Sequence, residues 1–244
     1  MKRAFDILLS SAALVVLSPL LVPVAIILRC TGEGHVFYRQ ERVGKDGRSF
    51  GLYKFATMLK DSPNMAGGLL TKKDDPRILP FGRFLRATKI NEIPQLLNVL
   101  LGDMSLIGPR PQARPHFDVF PQHVRRAIAE VRPGLSGIGS IMFRDEESIL
   151  AKCGGDEHGF YVQDIAPYKG ELEIWYTRHQ SFVLDLLLIL LTVWIVLFPK
   201  SRLHLGLLKH LPKPNSTVLA ECMELGQAEE EEMPDLPVFE HKAV

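Results

Sequence analysis

The stretch Lys89 to Arg110, KINEIPQLLNVLLGDMSLIGPR, decides how the chain is read. Ile93, Leu96, Leu97, Leu100 and Leu101 recur at helical spacing, Asn91 suits an N-cap, Glu92 falls in the first turn and Gly102 is a helix stop. Pro94 is tolerated there because first-turn amides lack intrahelical partners. The spacing predicts a short apolar helix that starts on a carboxylate, followed by Arg110 in a turn stiffened by Pro109 and Pro111. A helix start favours anions, and a planar guanidinium can bind a phosphate through two parallel hydrogen bonds. Capping alone also accounts for Asn91 and Glu92, so the chemistry must be sought in the surrounding sequence.

At 244 residues, 46% apolar and 23% charged, the chain can bury a sizeable core as one or two domains. A net charge of +1 without a basic, aromatic-interleaved stripe speaks against a nucleic-acid partner. Cys30, Cys153 and Cys222 are far apart and in no metal-binding array, which predicts neither a disulfide framework nor a zinc site and fits a reducing compartment.

Upstream, Ile7 to Leu28 carries no charge and is about as long as a bilayer core is thick. Ser18-Pro19 lies in its middle and Pro23 one turn later, so backbone hydrogen bonds are lost there and the serine hydroxyl is available to a freed carbonyl. Lys2 and Arg3 flank one end and Arg29 the other, giving neither end a preference for crossing. A re-entrant helix, broken at Ser18 and Pro19 and leaving on the face it entered, satisfies both facts; a kinked spanning helix is the alternative. No small-residue cleavage site follows the run and Arg29 comes directly after it, which argues against a cleaved signal peptide.

Residues 36–58 alternate in polarity around Gly44, Asp46 and Gly47 and predict a small β-hairpin bearing Arg39, Arg42, Lys45, Arg48 and Lys54. These charges read as solvated, as facing anionic lipid, or as phosphate ligands. Residues 61–76 read as a loop, and a short amphipathic helix around Phe81, Phe84 and Leu85 brings Arg77, Arg83 and Arg86 towards the same region.

The Ser18-Pro19 break, QERVGKDGRSF and LYKFATM (Gln40 to Met58), DPRILPFGRFLRATKINEIPQLLNVL (Asp75 to Leu100), GDMSLIGPRP (Gly102 to Pro111) and the later Asp185-Leu186 occur in one order. In that order they resemble the small monotopic phosphoglycosyl transferases, bacterial sugar transferases that start glycan assembly on a polyprenyl phosphate, over about residues 2–195. The resemblance implies transfer of a phosphosugar from a UDP-sugar to a membrane polyprenyl phosphate of the undecaprenyl type, with release of UMP. It implies Mg²⁺ as cofactor, membrane lipid as a partner, and a place on the cytosolic face of the bacterial inner membrane. By the same resemblance Glu92 and Asn91 are the catalytic pair, Glu92 binds metal, and Lys54, Arg77, Arg86 and Arg110 bind substrate.

The chain departs from the family at two positions. Asn91 stands where the family's Asp-Glu dyad has its nucleophilic Asp, and Ala56 stands where KFRTM has Arg. Three outcomes stay open: direct transfer to an already dianionic polyprenyl phosphate, substitution of the nucleophile by Glu92, Asp103 or Asp145, or an inactive membrane scaffold for glycan-assembly enzymes.

Downstream, Pro121 to Val131 predicts a helix, and Arg132 to Gly137 reads as a turn. The apolar run within His179 to Phe198 is shorter than the ~20 residues of a span and predicts an interfacial helix with Trp175 and Trp194 at head-group level. The expected fold is α+β and mainly helical. Residues 1–35 form the re-entrant helix and its flanks, 36–178 a compact catalytic domain at the membrane surface, 179–199 a membrane-associated helix and 200–244 a mobile tail.

Overall fold

The computed structural model describes residues 2–65, 75–153, 157–198, 201–208 and 210–223. It is α+β and mainly helical. The elements in order are α1 (Lys2–Cys30), a hairpin of β1 (Phe37–Val43) and β2 (Ser49–Phe55), α2 (Pro80–Ala87), α3 (Gln95–Leu101), β3 (Ser105–Ile107), α4 (Arg114–Val119), α5 (Gln122–Ala129), β4 (Gly134–Ser136), α6 (Ile138–Met142), α7 (Glu146–Cys153), α8 (Glu157–Phe160), α9 (Ala166–His179), α10 (Phe182–Leu197), α11 (Leu203–Leu207) and α12 (Thr217–Cys222).

Helix α1 continues through both prolines. Pro19 has no amide proton for the carbonyl one turn back, that of Val15, and the Ser18 hydroxyl donates to that carbonyl at 2.8 Å instead. The fully buried residues of α1 are confined to its two ends: Asp6 and Ser10 near the start, Val24 and Leu28 near the finish. At the start, Lys2 Nζ reaches Asp185 (2.6 Å), the Tyr176 hydroxyl (2.8 Å) and the Ile107 carbonyl (3.0 Å). The Arg3 guanidinium donates to the Val99 and Leu100 carbonyls at the last turn of α3, the end of a helix that favours a cation. Asp6 accepts from the Ser105 hydroxyl and the Leu106 amide, which fixes β3. At the other end Val24 and Leu28 pack on Phe55 and Leu85. Between these anchors Val15, Val16, Leu20 and Val22 are exposed. Among the described residues α1 is the one helix long and apolar enough to cross a membrane.

The hairpin follows the sequence reading. Its strands pair antiparallel from Phe37↔Phe55 to Val43↔Ser49, so Tyr38, Gln40 and Arg42 share a face with Lys54, Leu52 and Phe50. That face is the more buried one on β1. Leu52 then packs with Leu96, Val99 and Met104, which seats α3 behind the hairpin.

The second sheet was not foreseen. Residues 134–136, read as a turn, form β4, which pairs parallel to β3 at Ser105↔Gly134 and Ile107↔Ser136. Parallel strands need a long crossover, and the intervening residues 108–133 with α4 and α5 supply it. The main core lies behind this pair, where Ile138, Ile141, Ile165, Leu172, Tyr176 and Leu188 are fully buried.

Helix α10 turns Asp185, Leu188, Leu191 and Ile195 inward and leaves Phe182, Leu186, Leu190, Val193 and Leu197 exposed. Its acid is thereby buried and paired with Lys2 and Tyr176. Within the segment expected as a tail from residue 200, the described residues fold onto the body: α11 and α12 dock on the core through Leu208 and Leu219, and the Tyr168 hydroxyl donates to the Pro212 carbonyl at 2.9 Å. Leucines hidden among lysines and prolines carry that docking, and composition averaged over the segment masks them. Cys222 is disulfide-bonded, contrary to the expectation of unpaired cysteines. The acidic run after residue 224, the Gly154-Gly155-Asp156 segment and residues 66–74 of the expected loop lie outside the described residues.

Candidate active site

A cleft of about 2000 Å³ opens beside the hairpin. Four elements bring charge to it. β1 supplies Arg42, β2 supplies Lys54, the turn before α3 supplies Asn91 and Glu92, and the segment after β3 supplies Arg110.

The helix start differs from the sequence reading. Ile90 to Glu92 form a 3-10 turn entered through Lys89, whose φ is 60°, and α3 begins only at Gln95 with Pro94 before it. Asn91 therefore does not cap the helix. The cost of the left-handed residue is met by the turn it makes, because it swings Asn91 and Glu92 to the cleft rather than along the axis of α3. At the other end Gly102 closes α3 as read, with φ 94° and its amide on the Asn98 and Val99 carbonyls.

Glu92 is the centre of the charged group. Its Oε1 lies 3.4 Å from Lys54 Nζ and 3.5 Å from Arg110 Nη2, with its side chain 21% exposed. Burial alone would raise this carboxyl, but Arg110, Lys54 and Lys89 together outweigh it and hold it down at about 2. Lys54 does not mirror that behaviour. Burial, with Arg110 and Arg42 nearby, outweighs Glu92 and pushes the ammonium down to about 8. Burial and Arg110 likewise lower Arg42 to about 10, still fully charged near neutral pH. One carboxylate thus faces an excess of cations, an arrangement left open for further negative charge.

The expected site residues are only partly brought together. Lys54, Arg86, Asn91, Glu92 and Arg110 all line the cleft. Arg77 does not: its guanidinium, 3% exposed, grips Asp75 (Nε to Oδ1 2.9 Å, Nη2 to Oδ2 2.6 Å) and donates to the Ser62 carbonyl (2.8 Å). This pairing has a structural account, since a buried guanidinium must be paired and Asp75 sits two residues away. Of the replacement nucleophiles, Asp145 lines the cleft, whereas Asp103 is hydrogen-bonded to Asn98 and lies off it. Ala56 also lines the cleft, leaving open the space an arginine would take.

The local sequence does not set Arg42 apart from the other hairpin charges. The period-2 pattern held the missing signal, because residues 42 and 54 fall on one face once the turn is centred on Asp46. Glu173 and Lys169 gave no local signal; their place comes from the docking of α9 on α6.

Among the described residues no three His, Cys, Asp or Glu side chains converge as a metal cluster. The cleft does offer oxygen ligands in sequence: the Glu92 carboxylate and Asn91 Oδ1, a buried amide oxygen without a hydrogen-bond partner. Magnesium takes oxygen ligands and is commonly held by one or two carboxylates with substrate phosphates, so these residues fit it.

Residues 1–199 match the family model described as bacterial sugar transferase. The chain is 35% identical over 201 residues to the UDP-N-acetylgalactosamine-undecaprenyl-phosphate N-acetylgalactosaminephosphotransferase of Aeromonas hydrophila, covering 80% of this chain and 43% of that protein. It is 34% identical over 203 residues to the UDP-glucose:undecaprenyl-phosphate glucose-1-phosphate transferase of Klebsiella pneumoniae, covering 82% and 41%. The exopolysaccharide production protein PSS of Rhizobium leguminosarum bv. phaseoli is 41% identical over 149 residues, 58% of this chain and 73% of that one. The chain thus spans less than half the length of the first two relatives and most of the third. With its hairpin, its Glu92-centred cleft and this match over nearly its whole described length, the chain belongs to the bacterial sugar transferase family.

Proposed function

We propose that the protein transfers a phosphosugar from a UDP-sugar to a polyprenyl phosphate of the undecaprenyl type, releasing UMP, as the first step in building a bacterial surface glycan. The observation that carries this reading is the Glu92 carboxylate set among Lys54, Arg110, Arg42 and Lys89 in a large cleft. Cations in excess at a half-buried site suit a diphosphate, and charge neutralisation is the main lever in phosphoryl transfer.

The reaction proceeds in one displacement. An oxygen of the acceptor phosphate forms a bond to the β-phosphorus of the UDP-sugar, and the bond from that phosphorus to the bridging oxygen breaks. The bridging oxygen leaves with its electron pair on UMP. The acceptor is largely a dianion near neutral pH, with its second pKa at about 6, so no protein base is required. Asn91 has an amide where a covalent route needs a carboxylate, and Glu92 is tied to two cations. Arg110 and Lys54 bind the diphosphate, Arg86 and Arg42 extend the cationic wall, and Glu92 keeps Lys54 and Arg110 oriented between turnovers. Glu92 and Asn91 Oδ1 would hold Mg²⁺, which when bound supplies further neutralisation of the phosphate oxygens.

The acceptor is a membrane lipid, and α1 provides the attachment. Both of its ends are fastened to the same globular body, by Lys2 and Asp6 at one end and by Val24 and Leu28 at the other. A helix that crossed straight through would carry its ends to opposite sides. We therefore assign α1 a re-entrant path from the cytosolic face of the inner membrane, its exposed middle in lipid and the cleft at the surface.

The test is release of UMP by the purified chain with magnesium, polyprenyl phosphate and a panel of UDP-sugars. Turnover with at least one sugar, reduced about 10²-fold or more in Glu92→Gln, is the expected result. No UMP from any donor would favour a scaffold role instead.

A further inference from the structure

A second polar group in the same cleft has no part in the phosphate chemistry. Glu173 on α9 is 5% exposed and lines the cleft, and its Oε2 has no hydrogen-bond partner. Its other oxygen accepts weakly from the Arg110 amide at 3.4 Å. The nearby cation does not complete it, because Lys169 Nζ is bound to Glu146 Oε2 at 2.6 Å. The buried Ser140 Oγ on α6, one residue after Gly139, is also without a partner and also lines the cleft. Gly139 lets Glu173 lie against α6: a Cβ there would meet Glu173 Oε1 at 2.5 Å. A buried carboxylate oxygen is seldom left orphaned in a folded protein without a functional reason.

We propose that Glu173 Oε2 and Ser140 Oγ form the subsite that receives hydroxyl groups of the donor's sugar ring and so select which sugar is transferred. The inference rests on the nucleotide-sugar reading of the cleft. Arg110 connects the two sites: its guanidinium faces Glu92 while its own amide faces Glu173. The subsite is therefore about one arginine side chain away from the diphosphate position, the reach of a hexose ring from its anomeric phosphate. A uracil would lie farther off, beyond the α-phosphate and a ribose. Burial pushes the Glu173 carboxyl up to about 7, so the group can accept from a sugar hydroxyl or donate to one. A buried hydrogen-bonding site of this kind discriminates strongly, since a sugar whose hydroxyl points elsewhere leaves the acid unpartnered.

The experiment is equilibrium binding to the purified full chain of UMP, UDP-glucose, UDP-galactose and their N-acetylhexosamine counterparts, comparing wild type with Glu173→Gln and Ser140→Ala. Wild type is expected to prefer one UDP-sugar over its epimer by about tenfold or more. Glu173→Gln, which keeps an oxygen for the Arg110 amide, and Ser140→Ala should each narrow that preference at least threefold while UMP affinity changes less than twofold. An unchanged preference in both variants, no preference in wild type, or a parallel loss of UMP affinity that marks a uracil site would overturn the proposal. If the sugar preference behaves as expected while no UMP is released in turnover, the subsite stands and the transferase reading falls.

Discussion

Glu92 sits between two cations that would repel each other without it, so its removal should be felt in stability as well as in turnover. Its carboxyl is held at about 2, below the ordinary 4.5, so the stabilisation is complete above pH 4.5 and is lost as pH falls towards 2. Glu92→Gln should therefore cost on the order of 2 kcal/mol at neutral pH, with the gap to wild type closing between pH 4.5 and 2 in denaturant titrations. A constant gap across that range would assign the loss to packing. Lys54 behaves oppositely. Its folded value of about 8 lies below the ordinary 10.5, so the folded chain binds fewer protons there and stability rises between those two pH values. Phosphate binding should weaken over the same window as the ammonium discharges. Lys54→Arg is expected to keep donor affinity flat to about pH 10, whereas wild type loses it above about pH 8. At this scale the sequence was a good guide to residue types and a poor one to partners. Arg77 and Arg110 look alike in the primary structure, yet Asp75 beside one and Glu92 across the cleft from the other give them different work.

The elements most easily read were those with strong local signals. The hairpin announced itself by alternation and a glycine-rich turn, and α3 stopped where Gly102 required. The parallel pair β3 and β4 was hidden because each strand is three residues long and its partner lies across α4 and α5. The split of the Asn91 segment into a 3-10 turn and a later helix was hidden too, since the left-handed Lys89 that causes it is not a residue type that advertises such a backbone. At the opposite face, the N-terminus of α1 is tied to α9 and α10 by Lys2, Asp185 and Tyr176. Asp185 is 7% exposed on its side chain, so Asp185→Ala should cost about 3 kcal/mol by removing the carboxylate that pairs with the Lys2 ammonium and accepts from the Tyr176 hydroxyl. Urea unfolding in detergent measures this. A loss below about 0.5 kcal/mol would mean that the ion pair does not hold α1 in place.

For the whole molecule, the arrangement of α1 sets where the cleft lies relative to lipid. Native Cys30 is free and exposed at one end of the helix, and Ala4 is exposed near the other. In sealed vesicles, a membrane-impermeant maleimide should label Cys30 and an Ala4→Cys variant from the same side. Labelling from opposite sides would make α1 a crossing helix and would separate Lys2 from Asp185 in the native membrane. The apolar length of α1 was plain in the sequence, but its double attachment was not, because it depends on contacts from Lys2 to Asp185 and from Leu28 to Leu85 that only the assembled fold brings about.

The proposed single displacement turns on Asn91, an amide at the position where the family resemblance implies a nucleophilic aspartate. A covalent route releases UMP before the acceptor is present, whereas a single displacement does not. Mixing the wild-type chain with magnesium and its preferred UDP-sugar should thus yield no UMP until polyprenyl phosphate is added, and continuous release afterwards. A burst of UMP equal to the enzyme concentration in the absence of acceptor would contradict direct transfer.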